Sequence, residues 1–126
     1  MKRNMFAVPV EGCVAVTVSA HVLDAVHGGP VGGVGVRLDR LLGGDWLVLA
    51  QGSTDSGGRF ARFESGDAPV AGVYRWVFAA GEYFTARSIE SFHPEIPVVF
   101  TIADPRQNYH VPVLLSPFSY TTYRGH

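Results

Sequence analysis

The 126-residue chain holds a single cysteine, Cys13. One thiol cannot close an internal disulfide, so a disulfide-stapled scaffold is excluded and a reducing compartment is expected. An excess of either charge is also missing. Lys and Arg total 10 against 11 Asp and Glu, a formal net charge of −1. A chain without surplus cations has little with which to neutralise a phosphate backbone, so a dedicated nucleic-acid binder is excluded. No apolar run approaches the ~18 residues that span a bilayer, so no membrane partner is expected. The apolar stretch after Met1-Lys2-Arg3 is short, contains Pro9 and meets Glu11, which leaves no secretory core segment and makes the cytoplasm the expected location. Disorder is excluded too: 47% of the residues are hydrophobic and only 17% charged.

What is present reads as one all-β domain over 13–126, with 1–12 as an N-terminal extension. Val14, Val16, Val18, Ala20 and Val22 alternate with Ala15, Thr17, Ser19, His21 and Leu23. That is the period of a strand with one apolar face, and it turns His21 away from that face. Val34, Val36 and Leu38 repeat the pattern after the glycine-rich break at 28–33. Leu42-Gly43-Gly44-Asp45 predicts a hairpin turn with a return strand over 46–51. A turn over 54–58 leads into a strand over 59–64. Tyr74, Trp76 and Phe78 share one face of a strand over 73–78. The only helix expected covers 80–90, where Glu82 near the start and Arg87 near the end suit the helix dipole. Strands over 98–102, 111–116 and 119–124 complete the chain. Pro112 has no N–H for a ladder and should face an edge, a bulge or a cavity. Short strands at this spacing predict an antiparallel sandwich or barrel.

Two segments imitate known sites. Thr54-Asp55-Ser56-Gly57-Gly58 looks like a serine nucleophile loop, yet turn chemistry alone explains it. The glycines at 28–35 match no phosphate-binding fingerprint and lack a βαβ setting. Of the five histidines, His27, His93 and His126 sit beside turn or terminal residues, whereas His21 and His110 sit among apolar strand residues. An imidazole there needs a polar partner or a cavity, which makes those two the site candidates.

Five blocks then converge on one family. They are Ala20-His21-Val22-Leu23-Asp24; Thr54-Asp55-Ser56-Gly57-Gly58-Arg59; Gly81-Glu82-Tyr83-Phe84 with Glu90-Ser91-Phe92-His93-Pro94-Glu95; Tyr109-His110-Val111-Pro112-Val113-Leu114-Leu115-Ser116-Pro117; and Tyr120-Thr121-Thr122-Tyr123-Arg124-Gly125. In that order the chain resembles the transthyretin-related 5-hydroxyisourate hydrolases of urate breakdown. The resemblance implies a two-sheet β-sandwich of about eight strands with one short helix. It implies a homotetramer whose active sites lie in a channel between dimers. It implies catalytic roles for His21, Arg59 and His110, a small-molecule substrate contacted by Tyr123, and no cofactor. Water activated by a histidine and an oxyanion held by a guanidinium suit the opening of a cyclic amide. Which histidine is the base stays open at this level.

The resemblance breaks at the last residue, where His126 stands in place of the family's terminal serine. His126 is expected to contact substrate. Three imidazoles, those of His21, His110 and His126, also suggest a zinc-type centre as a minor reading. Two functional alternatives remain: a repurposed enzyme acting on another small carbonyl or enol substrate, and a non-catalytic carrier. A carrier has no need of a general base, which favours an enzyme.

Overall fold

The computed structural model describes residues 16–62 and 69–126. The extension over 1–12, Cys13, Val14 and the end of the strand expected over 59–64 lie outside the described residues. Among the described residues nine strands and one short helix follow in order: β1 (Val18–Asp24), β2 (Gly29–Pro30), β3 (Gly35–Leu42), β4 (Asp45–Ser53), β5 (Arg59–Arg62), β6 (Gly72–Phe78), α1 (Ala80–Thr85), β7 (Ile96–Ile102), β8 (Tyr109–Leu115) and β9 (Tyr120–Thr122). No helix among the described residues is long and apolar enough to cross a membrane.

Period-2 patterning decides the layers. Val18, Ala20 and Val22 of β1 are fully buried, while Ser19 and His21 between them are only half-buried. Leu38 of β3 and Tyr74, Trp76 and Phe78 of β6 supply the facing layer. Burying each such side chain contributes on the order of 1.5–3 kcal/mol. The result is a sandwich of a β2-β1-β8-β9 sheet, with β5 also on β1, against a β4-β3-β6-β7 sheet. The hairpin at Gly43-Gly44 forms as expected, with φ of 57° and 87° at the two glycines.

Three details differ from the sequence expectation. First, β1 and β8 pair in parallel, Val18 opposite Tyr109 through Asp24 opposite Leu115, within an otherwise antiparallel fold. Alternation tells which side chains face the core and is silent about strand direction. Second, the helix stops at Thr85 rather than continuing to residue 90. Ser88 takes a left-handed φ of 58°, its N–H donates to Thr85 O, and the Ile89 N–H donates to Phe84 O. That is a Schellman-type end without glycine, and the exposed residues after it have no core face to prolong the helix. Third, β9 is shorter than 119–124: the chain leaves the ladder after Thr122 and returns at an isolated bridge between Gly125 and His110. Pro112 sits in that gap. His110 O accepts from Gly125 N–H and Pro112 O accepts from Thr122 Oγ1, so the proline nitrogen faces the interrupted side.

Candidate active site

The outer face of the β5-β1-β8 strands carries the site. Residues directly opposite in a ladder project to the same face. His21 is opposite Arg59 across the β1–β5 pair, and Ser19 is opposite His110 across the β1–β8 pair. Because Ser19 and His21 share the outward face of β1, four side chains from three strands emerge together. The rings of His21 and His110 lie 6.0 Å apart between centroids, inclined by 36°.

His21 is oriented by the turn that precedes β5. Asp55 Oδ1 accepts from the N–H groups of Gly57 and Arg59 at 2.9 Å each. Thr54 anchors the start of the turn, its hydroxyl donating to Val31 O at 2.8 Å. Gly58, at φ +78°, lies so close to β1 that a Cβ would collide with the Val22 carbonyl oxygen. Held this way, the turn presents the Gly57 carbonyl to His21 Nε2 at 3.0 Å. A carbonyl oxygen only accepts, so Nε2 carries the proton and Nδ1 is the lone-pair nitrogen of neutral His21. The serine-nucleophile look-alike is therefore a positioning turn.

His110 is held differently. Its Nδ1 lies 2.7 Å from Ser19 Oγ. Its Cδ2 edge is backed by Gly125, where a Cβ would come within 2.5 Å of it. Burial is the main influence lowering its pKa below the ordinary histidine value, followed by the positive charge of Arg59 and then by the neighbouring His21. All three disfavour the imidazolium, so the ring is neutral near pH 7.

The remaining predicted residues lie along the chain terminus. Tyr123, 57% exposed, lines a cavity of about 340 Å³ with His110, Thr122 and Arg124 on one side and β7 on the other. His126 is exposed and directly follows the Gly125 bridge to His110. No group of three or more His, Cys, Asp or Glu among the described residues is placed to hold a metal ion. The three-imidazole centre considered from the sequence does not form within the chain. Reasoning from the sequence missed Ser19, the Gly57 carbonyl and Gly125. Ser19 was signalled by sharing the His21 face at i−2, and Gly57 and Gly125 only by lying within the family-like blocks.

Away from this face, Asp24 at the end of β1 is buried, accepting from Val26 N–H and His27 N–H at 2.8 Å each and from the Tyr83 hydroxyl at 2.7 Å. Burial pushes its pKa up, but the His27 N–H, the Tyr83 hydroxyl and the Val26 N–H outweigh that and hold the carboxyl below the usual range. The Tyr83 bond ties the helix to the end of β1, the strand that carries His21.

Comparison with known proteins bears on the fold and the family. A 5-hydroxyisourate hydrolase of Salmonella dublin is 38% identical, with 99% of each chain covered. A solved transthyretin from Sparus aurata superposes with a TM-score of 0.77 at 35% identity, covering 86% of this chain and 95% of that one. A solved 5-hydroxyisourate hydrolase of Klebsiella pneumoniae gives 0.73 at 33% identity, covering 88% and 94%. Superposition alone therefore does not separate transthyretin from the hydrolase. The family match runs over residues 18–125, from the first residue of β1 to the glycine that backs His110, and the chain belongs to the HIUase/transthyretin family.

Proposed function

We propose that the protein hydrolyses 5-hydroxyisourate, opening its ring to 2-oxo-4-hydroxy-4-carboxy-5-ureidoimidazoline in purine breakdown. The observation that carries this reading is the joint placement of His21, Arg59 and His110 on one outward face. Relatives named as this hydrolase across nearly the whole chain support it. A carrier on the same fold needs an apolar lining, not two imidazoles and a guanidinium.

The residues suit hydrolysis of a cyclic amide without a cofactor. Neutral His110 takes a proton from water at Nε2, and the hydroxide attacks the ring carbonyl carbon. Arg59 offers a planar fork of donors to the oxyanion that develops there. The carbon–nitrogen bond then breaks, and His110 returns the proton to the departing nitrogen. His21, with Nε2 committed to Gly57, has Nδ1 with which to accept from the water and hold it. Tyr123 and His126 are assigned to substrate contact, with His126 taking the place of a serine hydroxyl.

The same proposal includes a homotetramer and a cytoplasmic setting. Strands β7 and β9 each end a sheet, and Val99, Phe118 and Tyr123 near them are 59%, 64% and 57% exposed. Apolar side chains beside unpaired edges suit burial against further copies. A single cysteine suits the reducing cytoplasm.

The direct test generates hydroxyisourate in place with urate oxidase and follows its decay. The expected result is decay accelerated in proportion to added protein. Decay at the uncatalysed rate would overturn the reading.

A further inference from the structure

The two imidazoles on this face are held by different nitrogens. His21 is tied through Nε2 to a carbonyl, and His110 is tied through Nδ1 to the Ser19 hydroxyl at 2.7 Å. The first contact fixes its own polarity, because a carbonyl has no proton to give. The second does not, because a hydroxyl both donates and accepts. If Ser19 donates to Nδ1, the neutral ring carries its proton on Nε2 and has no lone pair there. If Ser19 accepts from Nδ1–H, Nε2 is the free basic nitrogen.

We infer that Ser19 is a positioning residue that accepts the Nδ1 proton of His110 and so makes Nε2 the nitrogen that takes the proton from water. The inference rests on the reading of His110 as the base. Two chemical arguments and one observation favour it over the opposite polarity. A ring already protonated at Nε2 cannot take a second proton there, so the opposite arrangement leaves the face without a base at that nitrogen. The Nδ1–H···Oγ bond persists unchanged when Nε2 is protonated, so Ser19 need not reorient during turnover. The Cδ2 edge is backed by Gly125 and Nδ1 is occupied, which leaves the Cε1–Nε2 edge as the part of the ring open to a reacting water. Ser19 is placed for this by the β1–β8 register, which sets it directly opposite His110.

The test combines a measurement on resting protein with kinetics. Long-range ¹H–¹⁵N spectra of ¹⁵N-histidine-labelled protein above the pKa of His110 report which nitrogen bears the proton. The expected result is a protonated Nδ1 in the wild type, a mixed population in Ser19→Ala, and recovery in Ser19→Thr, which keeps the hydroxyl. Turnover should follow: kcat falls roughly tenfold or more in Ser19→Ala with KM little changed, part of the ~10²–10⁴ that a positioned base contributes, and returns in Ser19→Thr. A wild-type ring protonated at Nε2 would overturn the inference, and needs no folded variant to be seen. An unchanged tautomer and unchanged kcat in Ser19→Ala would overturn it equally. Failure of the hydrolase reading looks different: the nitrogen spectra come out as expected while wild-type protein leaves hydroxyisourate untouched.

Discussion

Arg59 stands directly opposite His21 in the β1–β5 ladder, and its positive charge reaches His110 on the far side of β1. Burial comes first in lowering the His110 pKa, and the Arg59 charge comes second. A general base works while neutral, so the acid limb of the kcat/KM profile should lie below the ordinary histidine range. In Arg59→Gln the cation is gone, protonated His110 is less disfavoured, and its pKa rises. The acid limb should then move to higher pH, on top of a lower overall rate. A limb that stays in place in this variant would show that the guanidinium does not act on the base.

The three-residue face predicts a common kinetic phenotype. His21→Ala, Arg59→Ala and His110→Ala should each lower turnover by at least about a hundredfold, as loss of a base or of oxyanion stabilisation does. Circular dichroism and thermal midpoint should stay close to wild type, because all three side chains lie outside the core. Near-normal turnover in all three would place the chemistry elsewhere on the molecule.

Gly125 backs the His110 ring so closely that no side chain fits, a Cβ meeting Cδ2 at 2.5 Å and Pro112 Cγ at 3.2 Å. Gly125→Ala should therefore displace either the imidazole or the chain terminus. A displacement of about 1 Å at a reacting group can cost on the order of a hundredfold. The expected outcome is a fall in kcat of roughly tenfold to a hundredfold with a small change in thermal midpoint. Unaltered kcat would mean that the terminus yields and the ring does not.

The Asp24–Tyr83 bond should show itself in stability rather than in turnover. Asp24 is 4% exposed, and Tyr83→Phe removes one of the three donors to its carboxylate. Loss of a hydrogen bond to a buried charge costs about 1.5–3 kcal/mol, readable by urea unfolding at pH 7. The folded-state pKa of Asp24 lies below the ordinary aspartate value of 3.8, so its contribution is present above that value. It is lost as pH falls through the folded-state pKa. The gap between wild type and Tyr83→Phe should close over that acid range. The Tyr83 hydroxyl, pushed up to about 12 by burial and then by Asp24, adds stability that is lost as pH rises from about 10 through 12.

Much of this was legible in the residues themselves. Alternation along 14–23 identified the buried face of β1 and turned His21 outward, because side chains of a strand alternate whatever it pairs with. The paired glycines at 43–44 announced their turn, because glycine accepts two successive positive φ values without strain. The helix length was less legible. Charge placement favoured continuing to residue 90, but termination depended on the left-handed Ser88 and on the absence of a core to bury residues 86–90.

The sequence by itself determined which side chains avoid the core, and it supplied the histidines and the arginine. Only the tertiary structure decided their company. Placing Ser19 beside His110 needed the parallel register of β1 and β8, and a pairing direction leaves no mark on alternation. The group that orients His21 is a backbone carbonyl, which every residue possesses, so no residue type could announce it. Strand patterns record burial, one residue at a time; a site is a relation between strands, and that relation exists only once they are packed.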